Sequence, residues 1–264
     1  MIHPTLPRSP LALVVAQIRF SPVEDIKEKY IPVIRDKLKN SGFPYYEVCP
    51  TQQITMTGSE LQLSGAEQWF FTDKKRQNNI ALAKNFLTFN TVHYENFDQF
   101  LHQIASATNE IAGILELKEY GALERINLRY VDWLYPLDGV SLEEMINEEF
   151  LGGFLEKDED VLLRQVILER RTSVGLLRTI LFKPNDVRAV VGEFQTIRLN
   201  QPKFTAGKDF LILDMEHSTT VQGEDFSNEH IQTTLTTLHE SLDDLFFNVI
   251  PTKEAIEIWK KEAK

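Results

Sequence analysis

One order of elements, stated twice, restricts this chain more than any other feature. Residues 11–20, LALVVAQIRF, are apolar and β-branched enough to read as a strand. SPVE follows, with Ser21 placed to cap, Pro22 at the first helical position and Glu24 at the third, which predicts a helix to about Asn40. Gly42 is placed to end that helix, and Pro32 to kink or split it. Short strands are expected at Ile54–Met56, Leu61–Leu63, Gln68–Thr72, Ile80–Lys84 and Phe86–Val92. Asn96-Phe-Asp-Gln99 then opens a long helix with Phe97, Leu101, Ile104, Ile111 and Leu115 on one side.

From residue 123 the order recurs. LERINLRYVDWL reads as a strand, and Ser141-Leu-Glu-Glu144 as a capping box before a shorter helix. Strands are expected at Val161–Arg170, Val174–Phe182, Ala189–Leu199 and Phe210–Met215. A long helix from about Ser227 carries Ile231, Leu235, Leu238, Leu242, Leu245 and Val249 as a stripe, and a last short helix follows Thr252. Two local matches point the same way. AQIRF (16–20) lies over INLRY (126–130), and FLTFNTVH (86–93) over FLILDMEH (210–217), at offsets of 110 and 124. The expected fold is α+β, with halves 1–120 and 121–264 each a β-α-β(3–5)-α unit whose antiparallel sheet carries helices on one face. This topology resembles the repeat of the TATA-box-binding-protein-like fold, which implies shape and not function.

QIRFSP, WFF with LTFNTVHYENFDQF, RINLRYVDW and LHESLDDLFFNVI together resemble a sporadically distributed family of uncharacterised bacterial proteins of this length. The resemblance spans nearly the whole chain, and R-x-N-L-R-Y is its most specific block. It implies no catalytic residue. Its sporadic distribution implies an accessory gene, such as one in defence or toxin neutralisation.

The candidate site follows from the strand ERINLRYVDW. Alternation puts Ile126, Leu128 and Tyr130 on one face and Arg125, Asn127 and Arg129 on the other. Gln17 and Arg19 hold the matching face of the first half. Arginine's planar fork suits a carboxylate or phosphate, so these rows are either a recognition surface or internal salt-bridge struts. Tyr130, beside Trp133 and Tyr135, joins the list of candidate contact residues. His93 and His217 close the two matched octapeptides, where they read as equivalent strand ends. Neither they nor His239 has H-x-x-x-H or H-E-x-x-H spacing, so no metal is expected.

Eight of the twelve arginines lie between Arg125 and Arg198, most of them alternating along expected strands, which would suit a nucleic-acid surface. The net charge of −11 and the acidic run from Glu143 to Asp160 oppose it, because nucleic-acid affinity rests on phosphate neutralisation. The single cysteine, Cys49, excludes a disulfide framework within the chain. There is no secretory h-region at the N-terminus and no 18-residue apolar run, which predicts a cytoplasmic protein without a membrane partner. No G-x-x-x-x-G-K-[ST], G-x-G-x-x-G or G-x-S-x-G occurs, and no cofactor is expected. The expectation is a non-enzymatic protein that binds another protein. A small anionic ligand at the arginine rows is the alternative, and nucleic acid at the second-half sheet is the third reading, with duplex DNA disfavoured.

Overall fold

The computed structural model describes residues 6–57, 60–151, 163–184, 197–200 and 209–262. Among these, nine strands form one antiparallel sheet. They are β1 (Leu11–Phe20), β2 (Tyr45–Thr57), β3 (Glu60–Thr72), β4 (Asn78–Ala83), β5 (Phe86–Thr91), β6 (Ala122–Leu134), β7 (Leu163–Arg171), β8 (Leu176–Pro184) and β9 (Leu211–Asp225). The order is β2-β3-β4-β5-β1-β6-β9-β8-β7. β1 and β6 therefore meet at the centre, with β2–β5 on one side of them and β7–β9 on the other. Two sheets were expected, one per half. They are joined edge to edge by the β1–β6 ladder, so neither central edge is left open.

The helices are α1 (Ile31–Asn40), α2 (Phe97–Ile114), α3 (Leu117–Tyr120), α4 (Leu142–Met145), α5 (Glu148–Leu151), α6 (Asn228–Asp244) and α7 (Lys253–Trp259). They cover one face of the sheet. Val14, Ala16 and Ile18 of β1 and Ile126 and Leu128 of β6 share a core with Ile104 and Ile111 of α2 and Leu235, Leu238 and Leu242 of α6. The predicted α6 stripe is buried from Ile231 to Leu245, because a four–three spacing keeps its apolar side chains on one face. The long helices run antiparallel: the Phe97 ring stacks on His239 with centroids 3.9 Å apart, and Asn228 donates to Asn109 at 2.7 Å. A second, smaller core of Leu13, Val131, Trp133, Leu199, Phe210 and Ile212 covers one end of the opposite face. Ile197–Asn200 reaches across that face: Asn79 donates to the Ile197 carbonyl, Asn200 donates to the Lys75 carbonyl at 2.7 Å, and Arg198 pairs with Glu47 at 3.4 Å.

Most caps hold. Asn96 accepts from the Gln99 amide at 2.9 Å, Ser141 and Glu144 form the reciprocal box, Ser227 accepts from His230 at 3.3 Å, and Thr252 accepts from Ala255 at 3.2 Å. Gly42, at φ +100°, ends α1. The Ser21 cap does not form. Ser21 instead accepts the Ala122 amide at 3.0 Å and Val23 donates to the Lys84 carbonyl at 2.9 Å, which holds 21–23 extended against the sheet. Helical backbone begins only with a π-helical turn at Ile26–Tyr30, and Pro32 sits in the first turn of α1 after it.

The strand expectations near 54–56, 61–63 and 68–72 merge into one long β2–β3 hairpin, in register from Tyr45 opposite Thr72 to Thr57 opposite Glu60. β9 runs on to Asp225 through a polar sequence, because β6 supplies a ladder that far. Of the strand expected at 189–199, residues 189–196 lie outside the described residues, and Ile197 is helical with a turn at Arg198 and a bend at Leu199. The β7–β8 hairpin closes on Gly175, where an added Cβ would sit 1.9 Å from the Ser218 carbonyl oxygen. Gly175→Ala is expected to cost about 1–3 kcal/mol by overpacking, read as a lower midpoint of chemical denaturation.

Candidate functional site

The face of the sheet away from the long helices gathers the expected arginine rows. On β6, Leu128 and Tyr130 turn into the helix-side core, whereas Arg125, Asn127 and Arg129 are half-buried on the other face. Gln17 and Arg19 share that face on β1.

Strand register gives these side chains their neighbours. Glu169 on β7 stands opposite Arg178 on β8, Arg178 opposite Glu216 on β9, and Glu216 opposite Arg129 on β6. Charge therefore alternates in sign across four strands, and opposite-charge cross-strand pairs stabilise a sheet where like pairs oppose it. The bonds lean along this ladder. Arg129 Nε donates to Asp214 Oδ1 at 2.7 Å and its Nη2 to Oδ2 at 2.6 Å, a bidentate fork. Arg125 Nη2 donates to Ser218 Oγ at 2.8 Å and lies 3.4 Å from Glu216 Oε1. Arg178 pairs with Glu169 at 3.4 Å. Arg129, Arg178, Ile180, Asp214 and Glu216 line a shallow open cleft of about 280 Å³.

Beside the ladder runs an uncharged row of Ser218, Asn127, Gln17 and Thr88, again set by register, in which Gln17 donates to Thr88 at 3.4 Å. The next row opposes Arg19 to Arg125, two like charges. Arg125 is drawn away by Ser218 and Glu216, whereas Arg19 has no hydrogen-bond or ion-pair partner among the described residues.

The other expected residues lie elsewhere. Tyr130 is buried under the helices, its hydroxyl 3.1 Å from His239 Nδ1 and 3.4 Å from the Tyr94 hydroxyl. Burial pushes its pKa well above the usual tyrosine value and that of Tyr94 up to about 12. Trp133 is buried in the second core, so it forms no exposed aromatic strip beside the arginines. His93 is exposed beyond β5, 3.5 Å from Glu95. His217 is buried within β9 with Nε2 2.9 Å from Thr172 Oγ1, and burial lowers its pKa. These histidines are not equivalent strand ends. Gln17 faces Thr88 and Asn127 faces Ser218, so register aligns β5 with β9 at an offset of 130 rather than the 124 of the apolar octapeptides.

Three features escaped the sequence reading. Asn79 and Asn90 are a buried cross-strand pair, with Asn90 donating at 2.7 Å, and they anchor the crossing segment. Asp132 is 2% exposed on the helix side of β6, and its Oδ2 lacks a hydrogen-bond partner. Burial foremost, then the Asp214 charge, raises its pKa well above the carboxylate range. The Tyr94–Tyr130–His239 chain joins residues far apart in sequence. Only Asp132 left a local trace, as a carboxylate at the alternation position of a core residue.

Among the described residues no group of three or more His, Cys, Asp or Glu could hold a metal, and no helix is long and apolar enough to cross a membrane. The open face can offer hydrogen bonds and balanced charge to a surface laid across it. No protein-family model matches the chain, and neither does any curated protein.

Proposed function

We propose that this chain is a non-enzymatic interaction protein that docks another protein on the open face of its sheet. The mixed-sign ladder is the observation that supports this reading. Phosphate-binding surfaces are dominated by one sign of charge, whereas here each ladder arginine faces a carboxylate and the chain is acidic overall. A small anion would have to displace Asp214 from the fork of Arg129. Alternating charges instead suit the polar surface of a protein, where complementarity sets register and partner choice.

The same reading makes the two sequence halves diverged copies of one unit. In each, the last strand lies beside the first, and Gln17 faces Asn127 across the central ladder, so Arg19 and Arg129 are displaced equally from the centre. The family resemblance supports an accessory role in a bacterial cell, such as neutralising a toxin.

The test is capture from source-cell lysate by the tagged wild-type chain, Arg19→Glu and Arg178→Glu. One protein should be recovered by wild type and lost from both variants, with the melting temperature of Arg19→Glu unchanged and that of Arg178→Glu lowered by the like charges it sets beside Glu169 and Glu216. Equal recovery by all three would overturn the reading. Phosphate binding abolished by Arg19→Glu would transfer it to a small anion.

A further inference from the structure

Among the described residues, the two edge strands of the sheet, β2 and β7, are built differently. β2 is blunted: Pro50 lies within it and has no N–H to offer, the Arg35 guanidinium covers the Tyr46 ring at 4.7 Å, and Glu47 holds Arg76 and Arg198. β7, LRQVILERR, contains no proline, glycine or lysine, and among the described residues it has a neighbouring strand on the β8 side alone. Ile167 is 48% exposed, Leu168 41%, and Leu176 on β8 38%. These three are among the few large apolar side chains exposed on the described surface, with Ile167 and Leu168 on opposite faces of the edge strand and Leu176 opposite Arg171. An exposed apolar edge is a template for strand addition.

Charge selects what would be added. Glu169 is engaged by Arg178, whereas Arg170 and Arg171 are exposed with no carboxylate partner among the described residues. The end of the edge is thus basic in a chain of net charge −11. A second copy fits poorly. Antiparallel self-pairing centred on Ile167 opposes Arg170 to the Arg164 of the sequence, and pairing centred on Glu169 opposes two carboxylates. Pairing centred on Leu168 sets Arg170 against Val166 and Arg171 against Gln165, with no acid for either.

We propose that β7 is a strand-addition site for an extended segment of a partner protein in which acidic residues precede alternating apolar ones. The sheet is antiparallel throughout, so an added strand starts opposite Arg170 and Arg171, places its acids there, and then covers Leu168 and Ile167 on the two faces. This rests on the interaction reading above but names a different surface and the chemistry of the partner.

The test uses the full chain and two fluorescein-labelled octapeptides, Glu-Asp-Glu-Val-Ile-Val-Thr-Val and the same residues in reverse order, followed by fluorescence anisotropy. The acid-first peptide is expected to bind saturably, about tenfold more tightly than its reverse, and to lose about tenfold in affinity with Arg170→Glu plus Arg171→Glu. Ile167→Asp should weaken both peptides without lowering the melting temperature. No saturable binding up to about 1 mM, equal affinity for the two orders, or indifference to charge reversal would overturn the proposal. So would self-association in sedimentation that Ile167→Asp abolishes. If the Arg170→Glu plus Arg171→Glu chain still captures the cellular protein that Arg19→Glu loses, the edge proposal falls and the open-face reading stands.

Discussion

Leu128→Ala is expected to destabilise the protein by about 2–5 kcal/mol, whereas Arg129→Ala, one residue along the same strand, should cost about 1–3 kcal/mol. Leu128 is fully buried at the centre of the helix-side core, so truncation loses transfer energy and leaves a cavity that β6 and α6 cannot close. Arg129 points the other way. Its side chain is 22% exposed and that of Asp214 16%, between the surface pairs that contribute little and the buried pairs whose rupture leaves a costly lone charge. Arg19→Ala, with no partner to abandon among the described residues, should stay within about 0.5 kcal/mol of wild type. Urea denaturation of the three variants separates the roles. A loss at Arg19 as large as that at Arg129 would make both arginines struts and remove Arg19 from the binding face.

Asp132→Asn is expected to stabilise the protein at neutral and alkaline pH and to flatten its pH dependence. The folded carboxyl has a pKa raised above its unfolded value, because burial among apolar groups disfavours the charged form. In the pH range between the two values the folded chain holds a proton that the unfolded chain releases. The stabilisation is thus fully present below the unfolded pKa and is lost as pH rises through the folded one. An amide cannot ionise, so the variant escapes that loss. Both side chains leave a polar atom unpaired there, so the gain at high pH is the ionisation penalty that the amide escapes. Melting curves from pH 4 to 9 measure it. A wild type whose midpoint rises steadily across that window, with no gain from the asparagine, would contradict the raised pKa of the buried carboxyl.

The α+β class, the helices ending the two halves and their caps at Asn96, Ser141, Ser227 and Thr252 were legible because each is a local matter. A cap is read from residues three apart, and a helix face from a 3.6-residue period. The facing of β6 was legible for the same reason: alternation with period two sends Leu128 inward and Arg129 outward whatever the partners are. Ser21 shows where this stops. Its capping box is a valid local pattern, but the Ala122 amide, supplied by a strand a hundred residues away, takes its side chain.

Everything about the arginines beyond their direction was decided by tertiary structure. The sequence alone shows three polar residues on one strand face. That Arg129 meets Asp214, Arg125 meets Ser218 and Glu216, and Arg19 stands between Phe86 and Arg125 depends on strand order and register. A slip of one residue would turn every one of these side chains to the other face. The histidine match failed for that reason: apolar strands resemble one another at several offsets, and the choice among them lies in cross-strand hydrogen bonds. Asp132 reads as part of an ordinary alternating strand, and only the helix layer above it turns that position into a buried acid whose pKa is raised. Local periods belong to the chain, but partners belong to the fold, because contact between residues distant in sequence exists only once the sheet has closed.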